Sequence, residues 1–317
     1  MLRLFNIQNG TIKEQSLPEI DLSQIVAQAS WVDAHDPSDE EREELQAFLH
    51  TELPESEDVE EIEWSARYFM DTTGLHVRSL FLSLSEGRHD TATVAFILQD
   101  KRLITLREGS LADFRLLRMR IRRGQMVVDS PQELMVIMFE QKVENLADAL
   151  EDIHRKLEDV SYLVLEDANA DLENAIDRLA KLEDSNGKIR LCLMDTQRSI
   201  SFLQRHLRNF PELQETSREI MRDVDTLMSH TTFLFDKINF LMDSTQGFIN
   251  IEQNKIIKIF SIAAVVFLPP TLIASIYGMN FQYMPELQLA LGYPGALILM
   301  LIAGIAPYWV FKLKGWL

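Results

Sequence analysis

The chain has 317 residues, is 46% hydrophobic and carries a formal net charge of −18, which fits two domains or one domain joined to a membrane part. The negative charge argues against a nucleic-acid-binding protein, because such a protein needs a basic surface. The single cysteine, Cys192, excludes an intrachain disulfide framework.

Residues 1–130 have the pattern of an α+β domain, which we expect to lie in the cytoplasm. Asn9-Gly10 and Thr73-Gly74 each separate two strand-like segments and predict two hairpins. A short turn between TATVAFIL and RLITLRE predicts another strand pair. Ser38 and Glu41 form the pattern of a capping box that opens the helix EEREELQAFL. The basic segment LADFRLLRMRIRR predicts a linking helix.

Long helices follow Pro131 and are expected to form a coiled-coil-like stalk over residues 131–254. Apolar residues recur at alternating steps of three and four, which indicates a heptad seam. In the first stalk helix the seam contains Val143, Leu146, Leu150, Ile153, Leu157, Val160 and Val164. A second helix, with weaker periodicity, is predicted from about Leu172 to Leu207.

The third stalk helix is predicted to run without a break into a membrane span, since no proline interrupts it from Glu212 to Leu268. Its seam contains Ile220, Val224, Leu227, Thr231, Leu234, Ile238, Leu241, Thr245 and Phe248. The apolar seam of such a helix needs partner helices. The small polar residues in the seam suit a ring of identical helices. These features predict a homo-oligomer with the long helices around one axis.

Residues 255–317 are predicted to form a membrane domain with two transmembrane helices, at about 257–277 and 292–311. No charged residue occurs from Ile259 to Ile276 or from Tyr293 to Phe311, and each stretch is long enough to cross a bilayer. Two buried helices of a globular core are the alternative. Lysines flank the pair only on its outer ends, at Lys255, Lys258, Lys312 and Lys314. This placement predicts that both termini are cytoplasmic.

The first span is predicted to line a pore. Counting from Asn254 by helical steps, Ile257, Phe260, Leu268 and Thr271 fall near one face. In a symmetric oligomer this face becomes an apolar conduit with polar rings at its ends, and such a constriction can gate by dewetting.

The connection YGMNFQYMPEL, from Tyr277 to Leu287, contains one carboxylate and no lysine or arginine. Gly278 is expected to end the helix through a backbone conformation that other residues avoid. The carbonyl of Gly278 and the amide of Asn280 would then point at the axis. Uncharged oxygens in a ring suit Mg²⁺, which dehydrates reluctantly and keeps several waters.

This connection resembles the signature of the CorA magnesium transporter family, and the resemblance extends through IEQNKIIKIFSIAAVVFLPPT to the terminal KLKGWL. It implies a funnel-shaped homopentameric channel with an α/β cytoplasmic domain, long stalk helices and two C-terminal transmembrane helices. It also implies an outer selectivity ring at Gly278, Met279 and Asn280. The positions that it implies for the pore are Asn254, Leu268 and Thr271, beside Ile257 and Phe260 from the helical count.

The resemblance implies Mg²⁺ uptake across the bacterial inner membrane, with Co²⁺ and Ni²⁺ as further substrates. Since two charges gain about 4.6 kcal/mol per 100 mV, the membrane potential is a sufficient driving force. Family members are closed by cytoplasmic Mg²⁺ that carboxylates bind between subunits. Asp223 and Asp225 are candidates for this role, and solvated helix acids are the alternative reading.

Other classes of function are less well supported. The sequence has no GxxxxGK[ST] loop and no HExxH pair, so we expect neither a nucleotide, an organic cofactor nor an enzymatic activity. The expected partners are further copies of the chain, membrane lipids and divalent cations. Two alternatives stay open: a zinc transporter of the same superfamily, and a membrane-anchored coiled-coil scaffold without a pore.

Overall fold

The computed structural model describes residues 1–8, 10–15, 28–49, 67–85, 87–167, 170–280, 282, 284–289 and 291–315. The chain folds as two compact units, Met1–Met242 and Asp243–Leu317. One long helix contributes residues to both units.

The described residues of the first unit form a seven-stranded sheet. Its strands are β1 Leu2–Gln8, β2 Thr11–Gln15, β3 Trp31–His35, β4 Tyr68–Met70, β5 Leu75–Ser85, β6 Arg88–Leu98 and β7 Leu103–Arg107. Their spatial order is β2-β1-β3-β7-β6-β5-β4. Only the β3–β7 pair is parallel; the other neighbouring pairs are antiparallel.

The three predicted strand pairs are confirmed. β1 pairs with β2 through a turn in which Gly10 has a φ of 73°, whereas Asn9 lies outside the described residues. β4 pairs with β5 through Gly74, whose φ is 146° and whose added Cβ would lie 2.5 Å from the Leu98 carbonyl oxygen. β6 pairs with β7 as predicted. Only glycine fits the second turn, because both its backbone angle and its space exclude a side chain.

The predicted helices are also confirmed. They are α1 Asp39–Leu49, α2 Ala112–Arg122, α3 Pro131–Glu166, α4 Leu172–His206, α5 Pro211–Tyr277 and α6 Gly292–Leu313. The capping box of α1 forms as predicted: the Ser38 amide donates to Glu41 Oε2 at 3.0 Å, and the Glu41 amide donates to Ser38 Oγ at 3.2 Å. These bonds satisfy backbone donors that a helix N-terminus leaves without partners.

Both faces of the sheet are covered. On one face Leu4, Val32 and Ile104 pack with Leu45 of α1. On the other face aromatic and aliphatic side chains of the strands pack in one continuous core with helices α2 to α5. Burial on both faces explains the near-continuous apolar sequence of β7, whose five residues are all buried.

Most of the stalk seam of α5 is buried inside a single chain, whereas Phe248 at its end is exposed. Ile220, Val224, Leu234 and Ile238 belong to the same core as the seam residues of α3. Thr231 is fully buried, and its carbonyl oxygen accepts a hydrogen bond at 3.0 Å from Asn186 Nδ2 of α4. The expectation that the Thr231 part of the seam faces a ring of identical helices is therefore wrong, since helices of the same chain cover it.

A buried ion pair joins the sheet to two helices. Asp195 of α4 and Lys142 of α3 are 5% and 1% exposed, and Lys142 Nζ lies 3.5 Å from Asp195 Oδ2. The carboxylate also accepts hydrogen bonds from the hydroxyls of Ser79 at 2.6 Å and Tyr68 at 3.0 Å, and from the Leu80 amide at 2.8 Å. These partners offset the free-energy cost of burying the charge of Asp195.

Asp113 of α2 is buried with fewer partners, so the stability of this unit is expected to depend on pH. Asn145 Nδ2 donates to Asp113 Oδ2 at 3.3 Å, and Oδ1 has no hydrogen-bond partner. Burial raises the pKa of this carboxyl from 3.8 to about 6. Between these two values the native state keeps a proton that the unfolded chain has lost, so stability falls as the pH rises from about 4 to about 6.

Replacing Asp113 with asparagine is expected to stabilise the protein by about 1–3 kcal/mol above pH 6 and to have little effect near pH 4. Melting temperatures of the parent and D113N, measured from pH 4 to pH 8 in one detergent, test this prediction. The control is Asp100→Asn, at an exposed position. This substitution should change the melting temperature only slightly, and by the same amount at every pH. A constant difference between D113N and the parent over the whole range would contradict it.

Candidate ion pathway

Two of the described helices, α5 and α6, contain stretches long and apolar enough to cross a membrane. The most apolar 18-residue window of each helix contains no residue that is buried within the chain. Ala296, near the start of α6, is the one buried residue described in that helix. Two buried helices of a globular core are therefore excluded for these stretches, because an exposed apolar surface of this length requires lipid or further protein around it.

The predicted pore residues lie on one face of α5. Asn254, Ile257, Phe260, Leu268 and Thr271 fall within an arc of about 120° on a helix that turns ~100° per residue. All five are exposed; Ile257, Phe260 and Leu268 are 61%, 71% and 66% accessible. The face is therefore free to line a path or to meet another copy of the chain.

Helix α6 lies against a different side of α5. A Cβ added to Gly304 of α6 would lie 3.3 Å from Pro270 Cγ and 3.5 Å from the Val266 carbonyl oxygen. Val266 and Pro270 point about 180° and 140° away from the middle of the predicted pore face. Gly304 permits this close approach, as small residues commonly do between transmembrane helices. The two helices of one chain thus leave the predicted pore face uncovered.

The prolines in the first span do not end the helix. Pro269 and Pro270 lie inside α5, which continues to Tyr277. Because a proline has no amide hydrogen, the carbonyls of Val265 and Val266 lose their usual helical donors. One turn later Thr271 Oγ1 donates to the Phe267 carbonyl oxygen at 2.7 Å. This polar contact ties the hydroxyl of a predicted pore residue back to the helix.

The helix ends at the glycine of the signature. Gly278 donates its amide hydrogen to the Ala274 carbonyl oxygen at 2.9 Å, and Met279 donates to Ile276 at 3.2 Å. The φ of Gly278 is not positive, so the unusual backbone conformation expected of it is wrong. An added Cβ would lie 3.2 Å from the Ala274 oxygen, so a side chain at this position would require a small shift of that carbonyl. Asn280 follows as an exposed residue.

At the other end of the connection one position must be a glycine, which the sequence pattern did not predict. Pro285–Gln288 form a single 3-10 turn, and the Gly292 amide donates to the Leu289 carbonyl at 2.9 Å. A Cβ added to Gly292 would lie 2.3 Å from the Glu286 carbonyl oxygen, which no side chain can tolerate. Gly292 thus fixes how the connection enters α6. Its only signal in the sequence is a glycine at a helix start.

The face that contains Asn254 continues toward the N-terminal side of α5 as a polar stripe. Asn250, Gln246 and Asp243 occupy successive turns on this face, and all three are exposed. The helical count from the sequence began at Asn254 and so missed these residues. Extending the same period by three turns would have found them.

The structure separates the two candidate regulatory carboxylates. Asp225 accepts a hydrogen bond from Gln197 Nε2 of α4 at 2.9 Å. Asp223 lines a groove of about 270 Å³ together with Glu140 and Glu144 of α3. Burial, with the neighbouring carboxylates of Glu144, Glu219 and Asp223, raises the pKa of Glu140. Within the described part of one chain, no three His, Cys, Asp or Glu side chains are placed to hold a metal ion.

Comparisons with known proteins place the chain among ion transporters. A family profile described as CorA-like Mg²⁺ transporter protein matches residues 26–313. The chain is 48% identical over 319 residues to the magnesium transport protein CorA of Escherichia coli K12, with both chains covered completely. The same identity and coverage hold for the magnesium transport protein CorA of Salmonella typhimurium LT2.

Among solved structures, the fold is similar to the complete structure of the CorA magnesium transporter from Methanocaldococcus jannaschii. The TM-score is 0.74 at 19% sequence identity, and the match covers 100% of this chain and 99% of that chain. At this identity the likeness establishes the fold alone.

Proposed function

The chain belongs to the CorA family of Mg²⁺ transporters, and we propose that it is a Mg²⁺ uptake channel of the bacterial inner membrane. The observation that carries this proposal is the exposed face of α5 that runs from Asn254 to Thr271 opposite the side covered by α6. A face with polar residues at both ends and apolar residues between them suits an ion path better than contact with lipid.

We propose that five copies of the chain place these faces around one axis. One chain supplies two candidate spans, which are too few to enclose a pore. Residues 1–130 would form the cytoplasmic α/β domain, residues 131–254 the stalk and residues 255–317 the membrane domain. The seam of α5 from Ile220 to Leu241 is covered within one chain, so the main argument for further copies is the uncovered pore face.

At the outer end, Gly278, Met279 and Asn280 would form the selectivity ring. Mg²⁺ binds its water shell tightly, so an ion captured from solution arrives hydrated. Carbonyl and amide oxygens accept hydrogen bonds from those waters without removing them, which makes binding weak enough for release. Glu286, in the same connection, would add negative potential near the entrance.

Inside the ring, Thr271, Leu268, Phe260 and Ile257 would line a narrow, mostly apolar passage. A passage of this kind empties of water when it narrows and so closes without a moving plug. Asn254 would form the inner polar ring, where the ion regains polar contacts. Beyond it, the polar stripe of Asn250, Gln246 and Asp243 would hold the cation near the cytoplasmic mouth.

The membrane potential would drive the ion inward, since two positive charges gain about 4.6 kcal/mol per 100 mV. Lys255, Lys258, Lys312 and Lys314 support an orientation with both termini in the cytoplasm. Co²⁺ and Ni²⁺ are proposed as further substrates, because a ring that contacts only the water shell distinguishes weakly among hydrated divalent ions.

Cytoplasmic Mg²⁺ is proposed to close the channel, and the structure favours Asp223 over Asp225 for this role. Asp223 shares its groove with Glu140 and Glu144, whereas Asp225 is bonded to Gln197. The described carboxylates of one chain are not placed to hold the ion together, so a neighbouring subunit would have to complete the site. Without the ion, facing carboxylates repel each other and loosen the contact.

Replacing Asp223 with asparagine is expected to raise uptake several-fold at high internal Mg²⁺, because the variant loses a charge that the ion neutralises. Asparagine is preferred to lysine here, since a lysine beside Glu140 and Glu144 would itself bridge the acids. The measurement is Mg²⁺ influx against internal Mg²⁺ concentration, with Asp225→Asn as the matched control. Inhibition of D223N at the parent's concentration would count against the proposal.

The function is tested with purified protein in liposomes that contain a Mg²⁺-sensitive dye. We expect influx that increases with an inside-negative potential and needs no nucleotide. Flux of Zn²⁺ without Mg²⁺ would instead identify a zinc transporter. Absence of flux for every divalent ion would identify a scaffold and overturn the proposal.

A further inference from the structure

Two imidazole rings meet between α3 and α5, away from the proposed ion pathway. The ring centroids of His154 and His230 are 5.7 Å apart, and the ring planes are inclined at 53°. Both side chains are partly buried. Phe233 lies beside them, with its ring centroid 6.5 Å from that of His154 and 6.3 Å from that of His230.

One nitrogen of this pair is buried without a partner. His154 Nδ1 has no hydrogen bond in the described part of the chain and is shielded from solvent. A buried polar atom of this kind costs free energy, and an ion bound to the nitrogen would offset that cost. The other nitrogen, Nε2, lies 3.7 Å from Glu158 Oε1, which is too long for a hydrogen bond.

The separation of the rings suits a shared metal ion. Two imidazoles that bind one ion at ~2.0–2.1 Å have ring centroids from about 4.5 Å apart at a ligand angle of 90° to about 6.5 Å apart at 180°. The observed 5.7 Å lies in this interval. Glu158 Oε1 is paired with Lys237 Nζ at 3.3 Å, so this carboxylate is not counted as a ligand.

We propose that His154 and His230 bind a divalent transition-metal ion that prefers imidazole, with Ni²⁺ as the probe, separately from the Mg²⁺ pathway. Neutral imidazole suits Ni²⁺, Co²⁺ and Zn²⁺, whereas Mg²⁺ selects oxygen ligands. Because the described part of the chain offers no third His, Cys, Asp or Glu in position, water completes the coordination. A bound ion would link α3 to α5, the helix that also contains the pore residues.

The test is calorimetric titration of the full-length protein in detergent with Ni²⁺, in a large excess of Mg²⁺ that fills oxygen sites. We expect one Ni²⁺ per chain. His154→Phe and His230→Phe keep an aromatic ring and remove the nitrogens, so each should weaken binding at least about tenfold. His206→Phe is the matched control, since His206 also contacts an aromatic ring, that of Phe202, and should bind as the parent does.

Two further variants separate binding at the histidine pair from binding elsewhere and from loss of the fold. Asn280→Ala should bind Ni²⁺ normally, which distinguishes the histidine pair from the pore. If His230→Phe melts at a lower temperature than the parent when both are free of metal, His230→Gln is used in its place. Absence of Ni²⁺ binding in excess Mg²⁺, or unchanged binding in both histidine variants, would show that the rings are in aromatic contact only and would overturn the proposal.

Discussion

Replacing Asn280 with alanine is expected to reduce Mg²⁺ influx into liposomes by at least about a hundredfold. Alanine removes the amide that would hold the water shell of the ion in every subunit at once. Each lost hydrogen bond is worth about 1 kcal/mol, and several of them in a ring add up to more than the ~2.7 kcal/mol of a hundredfold change. The exposed position of Asn280 means that the loss acts on transport and leaves the fold intact.

The matched control for this variant is Gln282→Ala, which removes an amide from the same connection two residues later. Influx through Q282A should stay within about twofold of the parent, because this side chain has no proposed role in the ring. Both variants should elute and melt as the parent does. Equal influx through N280A and the parent would show that the ring is not where the ion is captured, even if the protein transports Mg²⁺.

Replacing Asp195 with alanine is expected to destabilise the protein by about 3–5 kcal/mol, the largest effect on folding that we predict. The change leaves Lys142, which is 1% exposed, without its carboxylate at 3.5 Å. It also removes the acceptor of the Leu80 amide and one hydrogen bond each from the hydroxyls of Ser79 and Tyr68. A charge buried without a partner costs far more than an exposed one.

Thermal melting of the full-length protein in detergent measures this effect. Asp184→Ala is the matched control on the same helix, since Asp184 forms an exposed i,i+4 pair with Lys188 at 3.1 Å. We expect a change of less than about 1 kcal/mol for that variant. The double variant K142M/D195L should recover much of the loss, because it removes both charges. A melting temperature of D195A equal to that of the parent would contradict the prediction.

Much of the first unit could be predicted from short patterns. A glycine-containing turn between two apolar segments predicts a hairpin wherever the flanking strands are long enough, as at Gly10 and Gly74. The strand β3, Trp31–His35, was not predicted, because five residues at the start of an acidic segment carry little periodic signal. Its place between β1 and β7 depends on pairing with residues about 30 and 70 positions away.

The candidate site was predicted in part. The helical count from Asn254 identified a face that the structure keeps exposed on α5. The count did not identify Gly292 or Gly304. Each of these glycines permits a close contact with another segment of the chain, and a helical period within α5 cannot show such a contact. Likewise, Asp223 and Asp225 are neighbours in the sequence, but a helix directs side chains two residues apart to different sides. Only the packed helices show that one meets acids of α3 and the other Gln197 of α4.

The helices, the hairpins, the two apolar spans and the signature between them could all be predicted from the sequence. These features are local: periodicity, charge and turn residues act within a few residues of one another. The packing of distant segments was needed to show that most of the seam of α5 packs against its own chain, that Lys142 is buried beside Asp195, and that His154 lies beside His230. A pattern states which face an element must bury, whereas the partner of that face depends on contacts between distant segments.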